Sequence, residues 1–430
     1  MKTKMFAMSS LLAAASLILA ACGGAAAPAP APTTAPPAET PKAAEATPVP
    51  EATPAPEATA TAETAAEPAA QTEVTFWHAY GTGSQEEVAM TKLVEQAQKD
   101  LPNLKINVLQ IPFNDVFNKY RTDVAAGAGP DMFIAPNDSL GDDVRAGLIA
   151  DITGLVKDKM GDVTDVAVGG MTIDGKIYGV PETVKGVAMF YNTDLVKEPP
   201  KTTDELLALI ESGVNGGMSF GCYHNWGFFN AFGGQIFDAD YNFVADQGTG
   251  VADAMTFLKT SFDKLKANDA LFKSDQDATP PFKEGKLGFI LNGNWMLADY
   301  AQALGDKLGV APMPAGPKDV ASPLVGVDGF YINPNSQNQD AAIELAMYLT
   351  NAASQKVMMD SAGHVPVRKD VEITNPLVKA FYDALANGTI RPQSPQMGKY
   401  WGNFCNTDDV YEVGTAPADW VAKGTEGAKK

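Results

Sequence analysis

Between residues 73 and 136 the chain alternates strand-like and helix-like segments, and this alternation limits its fold more than any other feature. Val74-Thr75-Phe76-Trp77 reads as a strand. Ser84-Gln85-Glu86-Glu87 is a capping-box pattern, after which Val88, Leu93, Val94 and Ala97 recur at helical spacing. A second strand, Lys105-Ile106-Asn107-Val108-Leu109, precedes a second helix carrying Val116, Phe117, Tyr120 and Val124. Gly129-Pro130-Asp131 then leads into a third buried strand, Met132-Phe133-Ile134-Ala135. Strand, helix, strand, helix, strand predicts an α/β fold with an open, mostly parallel sheet covered on both faces. Such sheets bind ligands at the carboxyl ends of their strands.

The alternation continues downstream. Gly179-Val180-Pro181 and Val187-Ala188-Met189-Phe190-Tyr191 read as strands, and Thr202 to Glu205 caps a helix that turns Leu206, Leu207 and Ile210 inward. Leu287-Gly288-Phe289-Ile290-Leu291 predicts a further strand, and residues 341–349 a strong helix. Residues 73–430 are long enough for two lobes.

The first 72 residues follow different rules. Lys2 and Lys4 precede an apolar run from Leu11 to Ala21, too short to span a bilayer permanently. It ends at Leu19-Ala20-Ala21-Cys22-Gly23-Gly24, which resembles a bacterial lipoprotein signal: residues 1–21 removed and a lipid carried on Cys22. Residues 22–72 hold that cysteine and an Ala/Pro/Thr/Glu stalk with eleven prolines between Pro28 and Pro68 and no aromatic residue. With so little to bury, the stalk is expected to stay disordered and extended.

Charge narrows the function. Against 32 Lys and Arg stand 52 Asp and Glu, for a net −20, of which −17 falls on residues 73–430. So acidic a body repels phosphate backbones and anionic lipid surfaces, so nucleic-acid binding is not expected. Three histidines and three cysteines lie too far apart for a zinc site, and no phosphate-cradling G-x-x-x-x-G-K-[ST] loop occurs. Neither a metal nor a cofactor is expected. Asp238-Ala239-Asp240-Tyr241-Asn242 opens like a calcium loop, but Phe243 replaces the glycine and Thr249 the closing acid, so a hairpin turn is expected. Cys222 and Cys405 are either bridged or two free buried thiols.

The order of short motifs carries a resemblance. It runs through Val74-Thr75-Phe76-Trp77-His78, Gly129-Pro130-Asp131-Met132 and Gly175-Lys176-Ile177-Tyr178-Gly179-Val180-Pro181-Glu182. Phe190-Tyr191-Asn192-Thr193-Asp194-Leu195, Pro199-Pro200-Lys201-Thr202 and Phe282-Lys283-Glu284-Gly285-Lys286 follow, then Leu291-Asn292-Gly293-Asn294-Trp295 and Pro395-Gln396-Met397. In this order they resemble the extracellular sugar-binding proteins of ATP-driven (ABC) importers, particularly the maltose/maltodextrin-binding branch. The resemblance implies a two-lobed, periplasmic-binding-protein-like fold with several hinge crossovers. One lobe would take 73–183 and 328–372, the other 188–324 and 373–430. It further implies a monomeric receptor, not an enzyme, held by lipid to the outer face of the cytoplasmic membrane. Its partners would be an oligosaccharide and the transmembrane permease of an importer whose ATPase is a separate chain.

Sugars present an apolar face and a rim of hydroxyls, so a site needs aromatic plates and polar groups around them. By the resemblance, Trp295, Trp401 and Tyr223 fall on stacking positions and Asp138 on a carboxylate that binds hydroxyls. By the same resemblance, other site positions of the branch, a tryptophan among them, are changed here to Ala79, Ala135, Ser139, Lys185 and Gly221. Tyr80, Glu182 and Lys185 are the candidates to remake the polar rim. The alternatives are a different oligosaccharide or glycoside, a polyol phosphate ester, a passive adhesion lipoprotein, or a secreted glycosidase. The last needs two carboxylates about 5–10 Å apart across the scissile bond.

Overall fold

The computed structural model describes residues 71–430. The signal-like segment, Cys22 and the stalk up to residue 70 lie outside the described residues.

The first sheet grows from the predicted alternation. Strand Thr72–His78 pairs in parallel with Leu104–Gln110 on one side and with Met132–Pro136 on the other. Helices Gln85–Asp100 and Phe113–Ala125 make the two connections. Ser84 caps the first helix by accepting from the Glu87 backbone N–H at 3.2 Å. The Glu87 carboxylate reaches back to the N–H of Gly83, one residue earlier than a standard capping box.

Beyond these three strands the sheet departs from the expected parallel pattern. The long strand Leu324–Ile332 lies antiparallel to Met132–Pro136 and to Gly179–Lys185, and Val365–Pro366 is antiparallel to the latter at the edge. Helical crossovers bring a strand back in the same direction, whereas Leu324–Ile332 returns from the other lobe and enters reversed. The second sheet runs Leu308–Ala311, Val187–Asn192, Phe289–Gly293, Gly216–Met218, and only its last pair is parallel. Phe289–Gly293 starts two residues later than expected, and Gly288 before it already bonds to the backbones of Asn215 and Asn192.

Two strands join the sheets directly. Gly179–Lys185 and Val187–Asn192 are separated by Gly186 alone, where a Cβ would stand 2.6 Å from a Leu385 methyl. The second connection lies inside Leu324–Ile332: Leu324 and Val325 pair with Thr389–Ile390, and from Gly326 onward the strand pairs with Gly179–Lys185.

The cores follow the sheets. One gathers Phe76, Tyr120, Phe133, Phe330 and Leu345 around the first sheet. Alternation then divides the second sheet: Met189, Phe289 and Leu291 face a core with Phe228, Phe262 and Tyr400, while Phe190 and Ile290 face one with Tyr300 and Phe381. The Asp238 loop is a turn in which the Asp238 carboxylate accepts from the N–H groups of Asp240 and Asn242. None of the described helices is long and apolar enough to cross a membrane.

Candidate functional site

The candidate residues collect at the carboxyl ends of the parallel strands, where the first sheet meets the second lobe. Tyr80 follows Thr72–His78, and Asn137-Asp138 follow Met132–Pro136. Lys185 closes strand Gly179–Lys185, at the crossover itself.

On the second-lobe side stands an aromatic wall. Tyr223 is the second residue of helix Cys222–Ala231 and Trp295 lies in the single turn Asn294–Met296, with ring centroids 6.1 Å apart. The His224 ring meets Trp295 edge-on at the same separation. The indole folds over Gly293, where a Cβ would come within 1.9 Å of it, so the glycine before the turn is a steric requirement. Trp401, in helix Pro395–Phe404, packs its ring on Tyr400 at 5.0 Å, and its indole N–H is buried without a partner. All three predicted plates are half-buried against one core. Cys222 and Cys405 form a disulfide, Cα atoms 4.8 Å apart, tying the helix of Tyr223 to the end of the helix of Trp401. The structure thus decides between the two readings of these cysteines.

Asp138 is held by a residue that sequence reading missed. Arg391 is buried and forms an ion pair with Asp138. It also donates to the Asn137 side-chain oxygen at 3.1 Å and lies over the Tyr223 ring, 5.2 Å from its centroid. This arginine therefore links the wall to the first lobe. Nearby, the Arg145 side chain donates to the Gln393 carbonyl at 3.2 Å. The crevice between Asp138, Arg145, Gln393 and Met397 is too tight for a water molecule. Only the sequence neighbourhood of Arg391, just before the Pro395-Gln396-Met397 motif, hinted at it.

The polar candidates on the other side belong to a buried charged floor. Lys185 Nζ lies 2.6 Å from a Glu86 oxygen and 2.9 Å from Asp328 Oδ2. Burial depresses the ammonium, but the Asp328 and Glu86 carboxylates outweigh it and hold it well above the usual lysine value. His364 stands between two carboxylates, Nε2 at 2.7 Å from Glu86 and Nδ1 at 2.9 Å from Glu182. With an acceptor at each nitrogen, both donate and the ring is an imidazolium. Burial pulls it down, yet the Glu182 charge and the hydrogen bonds the ring donates to Glu182 and Glu86 raise it to about 9. Burial likewise raises the Glu86 carboxyl, and Lys185 with His364 brings it down to about 2.

One sequence expectation changes here, that for Glu182. Glu182 is fully buried with both oxygens at His364, so it holds the histidine rather than lining a surface. Tyr80 lies with its ring 5.4 Å from the Lys185 ammonium and its hydroxyl buried without a partner. Glu86, Asp328 and His364 escaped sequence reading: Glu86 resembles any first-turn acid of a capped helix, and nothing local marks the other two.

The sequence profile described as bacterial extracellular solute-binding protein matches residues 92–384. The chain belongs to this family. A maltotriose-binding protein of Pyrococcus abyssi is 29% identical over 77% of this chain and 75% of its own length. A galactooligosaccharide-binding protein of Bacillus subtilis is 27% identical over 70% and 76%. The solved structure of a Thermus thermophilus maltotriose-binding protein, bound with maltotriose, superposes with a TM-score of 0.74 and 28% identity, covering 83% of this chain and 99% of that one. The chain is thus an extracellular solute-binding protein with a two-lobed fold, its wall in the second lobe and its floor beside the crossover.

Proposed function

We propose that the chain captures a malto-oligosaccharide between its lobes and delivers it to the permease of an ABC importer, doing no chemistry on it. The observation that carries this is the pairing of an aromatic wall, Tyr223, Trp295 and Trp401, with Asp138 and Tyr80 from the first lobe and Lys185 at the crossover. Stacked rings hold the apolar face of a glucose unit, and the polar groups accept and donate around its hydroxyl rim. The relatives that bind maltotriose support the malto-oligosaccharide over the galactooligosaccharide of the third.

Entry requires motion. The Arg391–Asp138 pair, the Arg145–Gln393 bond and the bond from the Gln85 N–H to Asp299 at 3.2 Å all join the lobes, and a sugar enters once they part. Contacts to both lobes then favour the closed form, a population shift by differential affinity. The hinge divides the body into 73–183 with 328–372 and 188–324 with 373–430. A lipid on Cys22 and the stalk beyond it keep this monomeric receptor at the outer face of the membrane, where the permease collects the sugar.

The test is titration of the purified full chain with maltose, maltotriose, longer maltodextrins and galactooligosaccharides, following tryptophan fluorescence and melting temperature. Saturable change with malto-sugars, tightest for three or more units, is expected. A response confined to galactooligosaccharides discards the maltose assignment and keeps the receptor. Reducing ends released during incubation would mean a glycosidase.

A further inference from the structure

Several buried polar atoms of the cleft have no hydrogen-bond partner, and three of them converge on Lys185. Asp328 uses Oδ2 for the ammonium, while its Oδ1 is buried and unpartnered. Asn294 donates its amide N–H to the Val184 carbonyl at 3.1 Å, leaving its Oδ1 buried and unpartnered. The Tyr80 hydroxyl is the third. Each of these side chains is more than nine-tenths buried. Their common place follows from the fold: Gly326 stands opposite Lys185 in the crossover sheet, two residues before Asp328, and Asn294 is tied to the residue before Lys185. Asn294 also directly precedes Trp295, so this cluster lies at the inner end of the aromatic wall.

Buried acceptors without donors are costly to a fold, and a cluster of them beside a stacking tryptophan needs an explanation other than packing. We propose that Asp328 and Asn294, with Tyr80, form an inner hydroxyl-reading subsite for one neutral sugar ring whose face rests on Trp295. The inference rests on the cleft being the sugar site. Two of the three acceptors, Asp328 Oδ1 and Asn294 Oδ1, accept only, so they require ligand hydroxyls as donors. Lys185 spends two of its N–H groups on Glu86 and Asp328 and keeps one for the ligand. Its charge is already matched by two carboxylates, and the Arg391 charge is paired with Asp138, although its Nε–H is buried without a partner. A phosphorylated or acidic sugar therefore meets acceptors and carboxylates with no free cation, so the subsite selects uncharged sugars.

The experiment measures affinity of the full chain for maltotriose, its monodeoxy analogues and its 6-phosphates, in wild type and in Asp328→Asn, Asn294→Ala and Trp295→Ala. Asp328→Asn and Asn294→Ala are expected to weaken maltotriose about 10- to 100-fold, the scale for losing a hydrogen bond to a charged or buried acceptor. At least one monodeoxy analogue should bind wild type as weakly, and lose little more in the Asp328→Asn variant. Phosphorylated maltotriose should bind wild type at least about 100-fold more weakly than maltotriose. If both polar variants bind maltotriose like wild type while Trp295→Ala does not, the subsite is wrong and the cleft stands. If Trp295→Ala also binds like wild type, the cleft assignment falls and takes the subsite with it. Should the polar variants fail to fold by circular dichroism, the wild-type series decides: monodeoxy analogues all within twofold of maltotriose, or equal binding of the phosphates, overturns the proposal.

Discussion

The two sides of the cleft are built differently. Tyr223, Trp295 and Trp401 are half-buried rings resting on one core, each seated by its own element. Glu86, Glu182, Lys185, Asp328 and His364 are almost fully buried, three carboxylates directly paired with two cations. The wall is a set of separable plates whose worth scales with contact area. The floor is a single electrostatic unit in which removing one member strands its partners. Wall substitutions should therefore act on binding, and floor substitutions on folding as well.

The largest expected effect tests the floor. Lys185→Met leaves Asp328 buried without its cation and Glu86 with His364 alone, and should cost about 3–5 kcal/mol in urea unfolding. A loss below about 1 kcal/mol would show that the floor is not one unit. Next comes the wall. Trp295→Ala should weaken maltotriose binding by about 2–4 kcal/mol, as loss of a buried aromatic anchor does. Its unfolding should change far less than its binding, and the reverse pattern would erase the distinction between the sides.

The disulfide sharpens the comparison, because it anchors two of the plates and touches none of the floor. Replacing Cys222 and Cys405 by serine should lower stability by about 2–4 kcal/mol in the same unfolding assay. Its effect on affinity should follow Tyr223 and Trp401, with discrimination against phosphorylated sugars unchanged.

The most gradual effect, small within any one pH unit, is pH dependence. His364 is raised to about 9 from an unfolded value near 6.5, so its contribution is complete below 6.5 and is lost as pH climbs through about 9. Glu86 is depressed to about 2, so its contribution holds above about 4.5 and is lost as pH falls toward 2. Stability should thus decline on the alkaline side by at most about 1.4 kcal/mol per pH unit, and His364→Gln should abolish that slope. An unchanged slope in the variant would assign the decline elsewhere.

Much of the architecture was legible in the sequence. The strand and helix alternation of residues 73–136, the caps at Ser84 and Thr202 and the turn at Asp238 all appear where the residues place them. The ordered motifs also marked Trp295, Trp401 and Tyr223. These are local signals, written within a window of about one element. Less of the floor could be read, since it is assembled from positions 86, 182, 185, 328 and 364.

Which segments form strands and helices, and the acidity of the body, could be read along the chain, because periodicity, caps and charge counts depend on neighbouring residues. Folding in three dimensions was needed to place Leu324–Ile332 antiparallel in the first sheet, Cys222 against Cys405, Arg391 against Asp138, and Lys185 between Glu86 and Asp328. The reason is physical. Pairing of charges, thiols and strands depends on separation through space, and that separation is set by how often and where the chain crosses between its lobes.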